Sequence, residues 1–259
     1  MGRDSRKECR MNAAPDTSGQ KAGLPTVVLI HGAFADSSSW NGVIAHLKQR
    51  GYPVMAVANP LRSVQHDAAY ARSILDSIDG PVVMAAHSYG GAVMTEAADG
   101  AANVKALVYV ASISPEVGES VIDLVKKYPG SLIGTSIKTI PFRRDDGGTE
   151  MDQYIKPDKF QAAFAADVDP DVAGLMAVTQ RPAADSAQTG SVTKVAWKTI
   201  PSWTLVTTQD QAIPPDLQRF MADRAKSTTV EIDASHAVAV SQPGPVADLI
   251  DTAARATAR

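Results

Sequence analysis

The 259 residues include one cysteine, Cys9. No internal disulfide can form, so the fold does not depend on an oxidising compartment. No apolar run approaches the roughly 20 residues needed to span a bilayer, so no membrane contact is expected. Positive charge is not in excess either. The formal net charge is −3, and nucleic-acid binding usually requires a clustered basic face. Residues Met1 to Ala22 carry Arg3, Arg6, Lys7 and Arg10 with no apolar stretch behind them, so no secretory signal is read. Their polarity predicts a disordered tail over 1–23, with Met11 as an alternative start, and a cytoplasmic location by default.

What is present fits an ordinary globular chain. Hydrophobic residues make up 44% and charged residues 20%, enough to bury a full core without staples. Thr26 to Ile30 is a short β-branched run that stops at His31-Gly32 and reads as a buried strand. Ser37, Ser38 and Ser39 offer caps for a helix over Trp40 to Arg50, closed by Gly51. The alternation then repeats. Strands are expected at 52–58, 81–86, 104–111, 202–207 and 229–232, and helices at 65–78, 89–98, 215–225 and 245–256. Apolar strands alternating with amphipathic helices predict an α/β fold, a mostly parallel, doubly wound sheet covered on both faces.

Residues 112–200 break the rhythm. They hold six prolines between Pro115 and Pro182 and two helical patches, near 121–128 and 158–176, with no convincing buried strand. A stretch this long is not an ordinary loop. It predicts a helical cap inserted into a core formed by 24–111 and 201–259. Phe142, Phe160, Phe164, Leu175 and Met176 are its candidate pocket-wall residues.

The chemistry is concentrated at Ala86-His87-Ser88-Tyr89-Gly90-Gly91. A serine at a tight strand-to-helix turn projects its hydroxyl above the sheet, beside the N–H groups of a helix N-terminus. The crowded turn needs small residues on either side, here Ala86 and Gly90. The usual pattern has glycine where this chain has Ala86. Ser88 is therefore the candidate nucleophile.

A serine hydroxyl needs a base within reach. Of five histidines, His46 and His66 fall in predicted surface helices, and His87 is expected to point to the opposite side of the turn from Ser88. His31 reads as a structural residue bonding loop backbone. His236 lies in the loop after the last strand, where such sheets build their sites, and it satisfies the order Ser…Asp…His. Asp210 ends the 202–207 strand segment and is the candidate acid. Asp233, three residues before the histidine, fits a turn-forming role better. For an oxyanion, Tyr89 supplies one backbone N–H, and Ala33, with Phe34 second, supplies the other.

These pieces, VVLIHGAFADSSSW from Val27, VVMAAHSYGGA from Val82, Thr207 to Pro215 and Ser235-His236, resemble the α/β-hydrolase-fold esterases of the group that includes plant methylesterases and hydroxynitrile lyases. The resemblance spans about Pro25 to Ala253. It implies hydrolysis of small carboxylic esters through a Ser-His-Asp triad and an acyl-enzyme, with no metal and no organic cofactor. The lyases carry lysine after the catalytic histidine and threonine after the loop histidine; this chain has Ala237 and Gly32, which speaks against that branch. Cofactor-free perhydrolases and haloperoxidases resemble the same fold and keep the same triad. Some relatives resemble ligand receptors with little turnover.

Overall fold

A computed structural model describes residues 23–258. Cys9 and the expected tail, apart from Gly23, lie outside the described residues. The chain runs β1 (Thr26–Ile30), a 3₁₀ turn (Ser37–Trp40), α1 (Asn41–Gln49), β2 (Val54–Val57), α2 (Val64–Asp76), β3 (Val82–Ser88), α3 (Gly90–Ala98) and β4 (Val104–Ser112). After an insertion it resumes with β8 (Ser202–Thr207), α9 (Pro215–Arg224), β9 (Thr228–Ile232), α10 (Val238–Ser241) and α11 (Pro243–Ala256). The insertion holds α4 (Val121–Lys126), α5 (Ile133–Ser136), β5 (Ile137–Arg143), β6 (Thr149–Ile155), α6 (Pro157–Phe164), α7 (Pro170–Thr179), β7 (Ala183–Ala184) and α8 (Asp185–Thr189).

Six strands form one sheet in the order β2-β1-β3-β4-β8-β9, every neighbouring pair parallel. The period of two divides each strand between two cores. Val27 and Leu29 face α1 and α11, whereas Val28 and Ile30 face α2, α3 and the insertion. β3 is buried at every position, as a central strand covered on both faces should be. The sheet is the expected doubly wound one. Strand order reverses direction between β1 and β3. The loops leaving these two strands therefore diverge and open a crevice above their carboxyl ends, where open α/β sheets bind ligands.

Three local readings are corrected. Asp36, not one of the three serines, caps the 3₁₀ turn through the Ser38 N–H, 2.7 Å, and α1 starts only after Trp40. The expected single helix over 158–176 is two, because Asp169 caps a new helix at Pro170, accepting from the Asp171 and Val172 N–H groups. Most substantially, the insertion is not only helical: β5, β6 and β7 form a three-stranded antiparallel sheet. The β5–β6 hairpin turns through Gly147, at φ +83°, with the Arg144 N–H donating to the Gly148 carbonyl at 2.9 Å. Its strands are exposed or half-buried at all but one position, so they lack the apolar run that marks a core strand. Among the described residues, no helix is long and apolar enough to cross a membrane.

Candidate active site

Ser88 is the last residue of β3 and takes φ +55°, a left-handed conformation that costs a serine about 1–3 kcal/mol unless its surroundings hold it. They do. The Ser88 carbonyl accepts from Ser112 Oγ at 2.8 Å and from the Ile113 N–H at 3.1 Å. The glycines around it work by having no side chain. A Cβ on Gly91 would lie 2.1 Å from the Ile113 carbonyl oxygen, and one on Gly90 would lie 2.7 Å from that of Ile30. A Cβ on Gly32 would lie 2.5 Å from that of Ser88. The α3 N-terminus and the loop after β1 thus close on Ser88 from two sides. Ala86 is fully buried inside β3, and the crowding that excludes a Cβ falls on Gly32, Gly90 and Gly91.

His236 and Asp210 are 1% and 2% exposed. His236 Nδ1 lies 2.7 Å from Asp210 Oδ2, so the ring presents Nε2 away from the carboxylate. The carboxylate is saturated. Oδ1 accepts from the Ala212 and Ile213 N–H groups, both at 2.8 Å, and Oδ2 accepts from Thr207 Oγ1 and Gln218 Nε2, both at 2.9 Å. The lone pairs of this buried carboxylate are thus matched by donors, as burial of a polar group requires. Asp233 has no such role: its carboxylate meets Thr208 Oγ1 at 3.3 Å and its carbonyl accepts from Gln242.

His87 points away from the cavity that Ser88 lines, towards Trp40, and meets His236 from behind. It is buried, and its Nε2–H donates to the His236 carbonyl at 2.9 Å. Its ring centroid is 4.5 Å from that of His236. The Phe164 ring meets the His236 imidazole edge-on at 4.8 Å. Burial, reinforced by His236, pushes the His87 imidazole well below the usual histidine range, so it is held neutral. His31 is where a structural residue should be. Its Nδ1–H donates to the Gly32 carbonyl at 2.9 Å, and burial lowers its pKa to about 4.

Ser88, His236, Tyr89, Ala33 and Phe34 line one cavity of about 500 Å³. Phe34 takes φ +61°. Among the described residues, no loop or turn carbonyl accepts from the Phe34, Ala33 or Tyr89 N–H groups. The rest of the wall comes mainly from the insertion, with Val121, Ile122 and Val125 of α4 and Ile133 of α5, together with Tyr128, Ile137 and Phe164. No aspartate or glutamate among the described residues lines it, while Lys126, Gln153 and Gln188 do.

Of the five candidate wall residues, only Phe164 lines this cavity. Phe160 is wholly buried behind it, ring centroids 5.0 Å apart. Phe142 lies under the Arg62 guanidinium at 4.9 Å. Leu175 faces out on α7, 66% exposed, and Met176 packs at the core margin. Gln218 belongs to the Asp210–His236 cluster and is marked by no sequence motif. Its Nε2 reaches Asp210, while its Oε1 accepts from the Thr207 N–H at 3.1 Å. The signal was a glutamine among Leu217, Met221 and Ala222, on the buried face of the helix that follows the acid loop.

A sequence model of the alpha/beta hydrolase family matches residues 27–249. The probable hydrolase R7 of a Phoma species is 25% identical over 247 residues, covering 87% of this chain and 96% of that protein. The structure of polyneuridine aldehyde esterase superposes with a TM-score of 0.74 at 17% identity, covering 88% of this chain and 98% of the other. A pyrethroid hydrolase from Sphingobium faniae JZ-2 gives 0.72 at 20% identity, covering 90% and 98%.

Proposed function

The chain belongs to the alpha/beta hydrolase family, and we propose that within it this protein is a serine esterase cleaving small carboxylic esters with apolar acyl groups. One observation carries the reading: the buried Asp210–His236 pair at 2.7 Å opens on the same cavity as a strained serine and backbone donors. The hydrolase and esterase names of its relatives support it.

Asp210 fixes the imidazole with Nδ1 protonated, leaving the Nε2 lone pair for the Ser88 hydroxyl. Ser88 Oγ attacks the ester carbonyl as its proton passes to Nε2. The Tyr89 N–H, with that of Ala33 or Phe34, receives the oxyanion; one such donor is worth about 3 kcal/mol in the transition state. Collapse expels the alcohol, which takes the proton from Nε2, and the acyl group remains on Ser88. Water then attacks, His236 takes its proton, and collapse returns it to Ser88 with release of the acid. The insertion serves as the cap. Its apolar wall without carboxylates favours neutral apolar acyl groups over cationic ones.

Turnover of 4-nitrophenyl esters tests this directly. Ser88→Ala should keep the fold and lose about 10⁴-fold or more in kcat. A folded Ser88→Ala protein with near wild-type turnover sinks the mechanism.

A further inference from the structure

The residue after the nucleophile is tied to a buried carboxylate that the reaction scheme leaves unused. The Tyr89 hydroxyl donates to Asp67 Oδ2 at 2.8 Å. Tyr89 is 1% exposed and Asp67 0%. A carboxylate this deep is expensive unless its lone pairs are matched. Asp67 has three matches: the Tyr89 O–H, the Arg62 N–H on Oδ1 at 3.1 Å, and His66 Nδ1 at 3.4 Å from Oδ1. It also sits in the first turn of α2, where the helix dipole favours an anion. The phenol therefore stands at the end of a rigid support built from α2 and the loop before it.

We propose that Asp67, acting through the Tyr89 ring, is a positioning residue for the oxyanion hole. It rests on the esterase reading, because its effect is on the Tyr89 backbone N–H, the donor next to Ser88. Tyr89 is the cap position of α3, with φ −48° and ψ −32°, and no side chain caps that helix. The donor's direction is set by one residue wedged between a left-handed serine and Gly90. A side chain anchored 0% exposed at its far end removes the remaining freedom, rotation of the Ser88–Tyr89 peptide. Preorganised donors act because they need not reorient as the oxyanion forms. Burial, with Asp67 alongside, keeps the phenol well above its ordinary pKa, so it stays the donor throughout the working range.

The same support reaches the insertion. Arg62, whose N–H holds Asp67, places its guanidinium 2.9 Å from Asp152 of β6 and donates to the Pro182 carbonyl at 3.2 Å. Ser186 Oγ of α8 donates to the Arg62 carbonyl at 2.5 Å. The loop that seats the insertion is thus the loop that holds Asp67.

Tyr89→Phe deletes only the hydroxyl and keeps the ring, and Asp67→Asn keeps the shape and one acceptor oxygen. A misaligned donor weakens the transition state and leaves the ground state alone. Tyr89→Phe is therefore expected to lower kcat about 10-fold with KM within about twofold. Affinity for a trifluoromethyl ketone transition-state analogue should fall by the same factor. Asp67→Asn should retain most activity, and Asp67→Leu should match Tyr89→Phe. The Tyr89→Phe, Asp67→Leu double variant should be no worse than either single, since both break one link. Thermal melts establish which variants are folded. If Asp67→Leu proves unfolded, Tyr89→Phe against Asp67→Asn carries the test alone. A folded Tyr89→Phe protein with wild-type kcat and analogue affinity overturns the proposal, as does a loss that appears only in KM. Failure of the esterase reading is separate: it shows as turnover surviving Ser88→Ala, whatever Tyr89→Phe does.

Discussion

At the scale of single residues, a buried carboxylate matched by donors stands beside buried imidazoles. Asp210 is surrounded by five donors, counting His236 Nδ1. In the proposed mechanism, Asp210→Asn puts an amide where a carboxylate would stabilise the imidazolium, and it offers Nδ1 the choice of a wrong tautomer. Its kcat should fall by about 10⁴-fold, while Asp233→Asn should change kcat by less than about threefold. Reversal of the two would move the acid to Asp233. His31 is one of the buried imidazoles. Burial holds its pKa near 4 against an ordinary 6.5, so between those values the unfolded chain binds a proton that the folded protein refuses. Stability is fully present above pH 6.5 and is lost as pH falls toward 4, by about 3 kcal/mol at the limit. Buried His87 adds a loss of the same sign. Urea midpoints measured from pH 7.5 to pH 4.5 should show His31→Asn declining less steeply than wild type; parallel curves would refute the assignment. The candidate site residues were legible because each follows a strand end, and strand ends are marked by apolar runs. The surroundings of His87 were not legible: strand alternation puts its side chain on the face of Val83 and Ala85, against Trp40, and only the fold brings the His236 loop over that face.

Among elements, α3 and α7 make opposite uses of glycine. Gly91 lets α3 press onto β4, where a Cβ would meet a backbone carbonyl at 2.1 Å, whereas nothing lies within 4 Å of a Cβ on Gly174. Gly91→Ala cannot be absorbed by moving a flexible side chain. It should destabilise by about 3 kcal/mol, lowering Tm by about 6–12 °C and displacing Ser88 with α3. Gly174→Ala in the interior of α7 should instead stabilise by about 0.5–1 kcal/mol. Equal melting shifts for the two would mean that the close approach of α3 to β4 does not exist. The core elements were readable within a few residues because their periods are clean. The insertion was less readable. Asp169-Pro170 is a helix start inside an apolar stretch, and its signal was outweighed by the apolar residues on both sides. The hairpin carries Pro141 in β5, which reads against a strand; it is tolerated because β5 is an edge of its sheet. Asp145-Asp146-Gly147-Gly148 between two weak strands was the remaining sign; the strands form by pairing with each other from Ile137↔Ile155 to Arg143↔Thr149, and β7 adds Asp152↔Ala184 and Gln153↔Ala183.

For the whole molecule, the reversal of strand order puts Ser88 and the β1 loop at the floor of the crevice, and the insertion supplies much of its walls. On this arrangement, chain-length preference belongs to α4 and α5 and not to the cap phenylalanines as a group. Each methylene seated against Val125 or Ile133 should add at most about 1 kcal/mol to transition-state binding. kcat/KM over 4-nitrophenyl esters of rising acyl length should climb in even steps and stop where the cavity of about 500 Å³ is filled. Val125→Ala and Ile133→Ala deepen the wall and should move the optimum to longer acyl groups. Phe142→Ala and Leu175→Ala, away from the cavity, should leave the profile unchanged. Phe164→Ala should do something different again. Its ring holds the His236 imidazole as well as lining the cavity, so kcat should drop on every ester in addition to any change in preference. If Val125→Ala and Ile133→Ala, both folded, give profiles that superimpose on wild type, the acyl chain does not lie along the insertion, and the cavity's apolar wall must receive the alcohol instead.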